Sequence, residues 1–204
     1  MPADTQLEGF PYRKMAEPHS CGPTALAQTL EFRELGRPIE KLERTWGFRR
    51  GSDRTDTPGH HLRALRRLGI PFAIRQGLTF EMVASALEAR HPVVGLLATG
   101  RLVRHWVVIT GITERDVTLA WGDSDGPREL PRRDFESAFG GGALDVLMGT
   151  RRLGYCVGGD LPWGSSRALE LYFRLQRPLA QYCVVPVVET LLAGLRGGRG
   201  PGRS

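Results

Sequence analysis

"HWVVITGITERDVTLAW", residues 105–121, carries two runs of β-branched and apolar residues on either side of the polar turn "TERD". Such runs, broken only by turn formers, predict two strands, 105–112 and 116–121, paired antiparallel. Just upstream, "PVVGLLA" (92–98) is a short apolar run that suits a buried strand, and "IPFAI" (70–74) suits another. Between them "TFEMVASALEAR" (79–90) has helical spacing. Downstream, "DSDGP" (123–127) is a loop, "PRRDFESAF" (131–139) a short helix, and "ALDVLMG" (143–149) is expected to pair with "LGYCVGG" (153–159) across "TRR".

Before residue 70 the character is helical. "GPTALAQTLEFRELG" (22–36) places Ala25, Leu26, Leu30 and Phe32 at helical spacing, with Pro23 in the first turn and Gly36 as a stop. "IEKLERTWG" (39–47) and "TPGHHLRALRRLGI" (57–70) follow; Thr57 can cap the latter and Pro58 can open it. Three helices are thus expected before the first strand. Helices first and a mainly antiparallel sheet after them make an α+β fold. Two more helices are expected at 165–176 and 179–195, and "RGGRGPGRS" reads as a disordered end.

With 204 residues, 41% of them apolar, the chain can bury one good core but not two. The expected organisation is one domain over 1–158, a helical extension over 159–196 and a tail over 197–204. The formal charge of +6 is spread over arginine pairs without interleaved aromatics, which argues against nucleic acid as a partner. The three cysteines lack the spacing of a disulfide framework or a metal site, so a cytoplasmic setting is expected. The first residues have neither the basic start nor the apolar run of a signal peptide. The apolar segment 179–195 is interrupted by Gln181, Pro186 and Glu189, which favours docking or dimerisation over membrane spanning, with peripheral membrane contact as the other use.

The chemistry centres on Cys21. A thiol at a helix amino terminus sits in the positive end of the helix dipole, which favours the thiolate. A nucleophile also needs a base and a group that orients the base. His105 opens a strand and can aim into a cleft; Asp123, after the next strand, or else Asp125, can orient it. His60 and His61, adjacent on a helix, point different ways and are expected at the surface rather than at a metal. His91 is expected to be structural, and Cys156 and Cys183 to pack.

Taken in order, "SCGPTALAQTLEFRELGRPI", "DTPGHHLRALRRLGI", "HPVVGLLATG…HWVVITGI" and "VTLAWGDSDG…LPRRDFESAF" resemble the papain-like family that includes the double-glycine leader peptidases of bacteriocin export. The resemblance covers roughly residues 10–150. It implies a papain-like fold and a cysteine peptidase with Cys21 as nucleophile, His105 as base and Asp123 as orienting group, without metal or organic cofactor. It also implies a peptide or protein substrate and, because this chain shows no transmembrane bundle or nucleotide-binding loop, a transporter partner on a separate chain.

Two positions depart from the family. Met15 stands where the family carries a glutamine that helps bind the oxyanion, and the usual Asp-Pro after the strand is "WGDSDG". Losing one such donor costs about 2.7–4 kcal/mol of transition-state stabilisation. His19, Ser20 and the Cys21 main-chain N–H are the neighbours that could substitute. A catalytically weak or inactive module that binds a peptide segment is therefore the alternative reading, and an amidase or acyltransferase acting on a non-peptide group is the third. The pair Gly197–Gly198 resembles the sites this family cuts, against the plainer reading of a fraying tail.

Overall fold

The computed structural model describes residues 4–17, 20–36, 42, 57–99, 104–141, 145 and 150–179. The segments 39–47 (Leu42 apart), 180–195 and 196–204, with Cys183 and Gly197–Gly198, lie outside them. In chain order the elements are β1 (Thr5–Gln6), α1 (Cys21–Phe32), α2 (Pro58–Arg67), β2 (Phe72–Arg75), α3 (Phe80–Glu88), β3 (Val93–Ala98), β4 (Arg104–Ile112), β5 (Asp116–Ala120), β6 (Arg128–Pro131), α4 (Arg132–Gly140), β7 (Gly154–Val157) and α5 (Arg167–Leu179). This is the α+β arrangement read from the sequence, with helices packed on an antiparallel sheet.

The strands lie in the order β2-β7-β3-β4-β5-β6, and β1 pairs with β4 beyond the end of β3. Every pairing is antiparallel. The hairpin read at 105–121 is β4 and β5, with Val108 opposite Ala120 and a bulge between Ile109 and Gly111. Alternation along the strands gives the sheet two apolar faces. On one face Trp106 meets His61 of α2, ring to ring at 4.0 Å. On the other, Gly95 leaves room for Phe139 of α4, whose ring lies 3.3 Å from where a Cβ would sit. α1 packs against β4 and beside α2.

Local chemistry explains the helix ends. The Thr79 hydroxyl accepts from Met82 N at 3.3 Å and opens α3. At α2, the Thr57 main-chain N–H donates to His60 Nδ1 at 3.2 Å, so His60 serves as a capping side chain. α4 stops at Gly141, whose φ of +62 suits glycine.

Several expectations are corrected. His61 is not at the surface: it is fully buried, and its Nδ1 meets the Tyr155 hydroxyl at 2.5 Å. The cause is periodicity, since His61 shares the buried i, i+3, i+4, i+7 face of Pro58, Leu62 and Leu65. The strand over 153–159 finds its partners in β2 and β3; of the partner expected at 143–149, only Asp145 lies within the described residues, and it is helical. Two short strands, β1 and β6, were not anticipated, and β1 precedes the helices. His91 is buried and Cys156 packs in the core, as read. The start of the 159–196 extension, α5, lies against α2 and β2. Among the described residues, no helix is long and apolar enough to cross a membrane.

Candidate active site

Cys21 is the first residue of α1 and nine-tenths buried. Ser20 precedes it but does not cap the helix with its side chain; its hydroxyl donates to Glu17 O at 2.8 Å instead. The first N–H groups of a helix have no intrahelical acceptor. Here Pro23 removes one of them, and Cys21 and Gly22 form the first turn with it. A developing negative charge is stabilised at such a point.

The strap formed by residues 10–15 fixes where that helix mouth lies. At the far end, Phe10 packs on Phe32 with ring centres 5.5 Å apart, and Tyr12 Oη meets Thr110 Oγ1 at 3.1 Å. Along the way Gln28 Nε2 donates to Arg13 O at 2.8 Å, and Arg13 pairs with Glu31. Met15 N then donates to Gly122 O at 2.8 Å. The strap thus runs antiparallel to α1, from the carboxyl end of the helix toward its start. Cys21 begins α1, and His105 lies near the start of β4, the strand that α1 packs against.

His105 is half-buried. Its Nε2 lies 2.7 Å from Trp121 O, and its ring stacks on the Trp121 indole at 5.0 Å with 24° between planes. A carbonyl oxygen can only accept, so Nε2 carries the proton and Nδ1 of the neutral ring keeps its lone pair. Burial pushes the His105 pKa below its ordinary 6.5, and the Arg128 cation adds to this; the bond to Trp121 O and the Asp123 charge act the other way without cancelling it. The ring is therefore neutral near pH 7, the form a general base needs. Among the described residues, Cys21 is not one of its hydrogen-bond partners.

The two aspartates read from the sequence are engaged elsewhere. Asp123 Oδ2 accepts from Arg128 Nη1 at 2.8 Å, so it reaches His105 by charge and not by a hydrogen bond. Asp125 Oδ1 accepts from Lys14 N at 2.7 Å and ties the strap to the loop after β5. One residue before His105, Arg104 forks onto Asp145 with two bonds of 2.6 Å, and Thr150 Oγ1 adds a third at 2.9 Å. This part-buried pair anchors the start of β4. No sequence signal joins Arg104 to Asp145 beyond their opposite charges.

The sequence matches no family model and no curated protein sequence. Three-dimensional comparison does find likenesses. A protein described as a C39-like peptidase from Bacillus anthracis superposes with a TM-score of 0.60 at 16% identity, over 78% of this chain and 98% of that one. The peptidase domain of Streptococcus ComA, a bi-functional ABC transporter involved in a quorum-sensing pathway, gives 0.54 at 15% identity, over 74% and 99%. The chain has the fold of the C39-like peptidases.

Within this C39-like fold, Met15 occupies the position where the sequence resemblance expects an oxyanion glutamine. Its main chain is pinned to Gly122, and its Cγ lies 2.9 Å from where a Cβ on Gly122 would be. Gly122, with φ of +84, is thus required both by backbone conformation and by this close approach. Of the other residues considered for the oxyanion, Ser20 is buried with its hydroxyl turned to Glu17 O, and His19 lies outside the described residues. Among the described residues, no three His, Cys, Asp or Glu side chains converge as a metal site requires.

Proposed function

We propose that this chain is a cysteine hydrolase that cleaves an amide or peptide bond with Cys21 as nucleophile and His105 as base. One observation carries the reading: His105, near the start of the strand that α1 packs against, commits its Nε2–H to Trp121 O and keeps Nδ1 for a proton, and α1 itself begins with a cysteine. The Cys21 S–H gives its proton to Nδ1 as the sulfur attacks the carbonyl carbon. The oxyanion forms at the helix mouth, the protonated ring returns the proton to the leaving amine, and water activated by the same ring hydrolyses the thioester. The C39-like fold supports a peptide or protein substrate and a transporter on a separate chain as partner. The sparse thiols fit a cytoplasmic location.

A second reading, a module that holds a peptide segment without cutting it, is favoured by Met15, which cannot donate to an oxyanion. A peptidyl glycine nitrile separates the two, because an attacking thiolate adds across the nitrile to give a thioimidate. Incubation should raise the intact mass by that of the nitrile, with the adduct on Cys21 and absent from Cys21→Ala. Saturable binding of the nitrile without any adduct supports the binding module and rules out the hydrolase. The same adduct with non-peptide nitriles but not with peptide ones would favour an amidase or acyltransferase.

A further inference from the structure

The orienting group for His105 is not where a carboxylate was expected. Around the ring the structure builds a layered assembly instead. The His105 imidazole stacks on the Trp121 indole, and the Arg128 guanidinium lies 4.5 Å over that same indole. Asp123 holds Arg128 in place through its 2.8 Å ion pair. Trp121 directly follows β5, and its own carbonyl receives His105 Nε2–H. A single residue therefore supplies both an acceptor in the plane of the imidazole and a flat wall against its face. The first sets the tautomer; the second limits rotation and excludes water.

We propose that Trp121 is the positioning residue for His105, with its carbonyl in the part usually taken by a side-chain acceptor, and that Asp123 and Arg128 act on the ring only through the indole and through their opposite charges. The proposal rests on the hydrolase reading for its purpose, but not for its geometry. The charged groups that face the ring are Asp123 and Arg128, both on the β5–β6 side. They pull its proton affinity in opposite directions, so removing either one must leave a signed trace. A merely structural ion pair would not do so, because breaking it from either side loosens the same loop.

The test is long-range 15N–1H NMR of the histidine rings, assigned through His105→Gln, in four variants. In the parent, His105 should titrate below its ordinary value, with a protonated Nε2 and a bare Nδ1 when neutral. Asp123→Asn should keep that tautomer and lower the pKa further; Arg128→Gln should keep it and raise the pKa. Trp121→Ala keeps the main-chain acceptor, so it should keep the tautomer while moving the titration back toward the ordinary value, and Trp121→Phe should restore the wall and most of the shift. Mixed tautomers in Asp123→Asn, shifts of one sign in Asp123→Asn and Arg128→Gln, or an unchanged titration in Trp121→Ala would each overturn the proposal. Arg128→Gln changes only a half-exposed side chain, so the test survives a Trp121 variant that fails to fold. Iodoacetamide labelling of Cys21 in the same samples tests the hydrolase reading separately: if labelling is indifferent to His105→Gln while the NMR pattern holds, the positioning stands and the catalytic purpose falls.

Discussion

Restoring a glutamine at position 15 is the perturbation whose outcome the site geometry predicts most sharply. Met and Gln have side chains of similar length and rotamer freedom, so Met15→Gln adds little ordering cost. The main chain is already fixed by the 2.8 Å bond to Gly122 O, and the first side-chain carbons are wedged against Gly122, so the new amide starts from a defined stem. A full oxyanion donor is worth about 2.7–4 kcal/mol. Subtracting about 1 kcal/mol for partly drying the amide leaves about 2 kcal/mol, or roughly thirtyfold in rate. The assay compares two reagents on the same thiol. p-Nitrophenyl acetate acylates Cys21 through a tetrahedral oxyanion, whereas iodoacetamide alkylates it without one. Met15→Gln should accelerate acylation by roughly thirtyfold while alkylation stays within about twofold. Equal changes in both rates, or no change in acylation, would refute the placement of Met15 at the oxyanion.

Three further outcomes follow from the packing and charge. Asp145→Ala takes away the carboxylate on which the part-buried Arg104 forks and should cost about 1–3 kcal/mol by urea denaturation, whereas Arg104→Met with Asp145→Leu should recover most of it; a single variant as stable as the parent would contradict the anchoring role. His105 and His91 both have pKa values pushed below the ordinary 6.5, chiefly by burial, so the unfolded chain binds more protons between the folded values and 6.5. Stability should therefore fall as pH drops below 6.5, less so in His91→Gln, and a urea midpoint that rises on acidification would contradict this. Gly122→Ala places a side chain at φ +84 and drives it into Met15, with an expected loss of about 1–3 kcal/mol and slower Cys21 acylation; a neutral result would mean that the loop relaxes freely.

The reach of sequence reasoning follows from how each feature is encoded. The β4–β5 hairpin and the Cys21 helix mouth are written in residue type and spacing, and both are where the pattern puts them. β1 and β6 are short, and β6 reads Arg-Glu-Leu-Pro, so pairing with β5 and not apolarity makes it a strand. The burial of His61 was available in the spacing of Pro58, Leu62 and Leu65 but was hidden by the surrounding arginines. Trp121 left no trace as a site residue, because its acceptor is a main-chain carbonyl and any residue type carries one. Asp123 and Asp125 drew attention for the opposite reason: carboxylates near a histidine look like partners, and only coordinates show one bonded to Arg128 and the other to Lys14 N.

The central claim is that the thiol beginning α1 and the imidazole beginning β4 work on one another. Time-resolved iodoacetamide labelling with peptide mapping, run from pH 5 to 9 on the parent and on His105→Ala, measures this directly. The account predicts that Cys21 reacts at least about tenfold faster than Cys156 and Cys183 near pH 7, and that His105→Ala abolishes the advantage. Equal and slow labelling of all three thiols, untouched by the loss of His105, would contradict it.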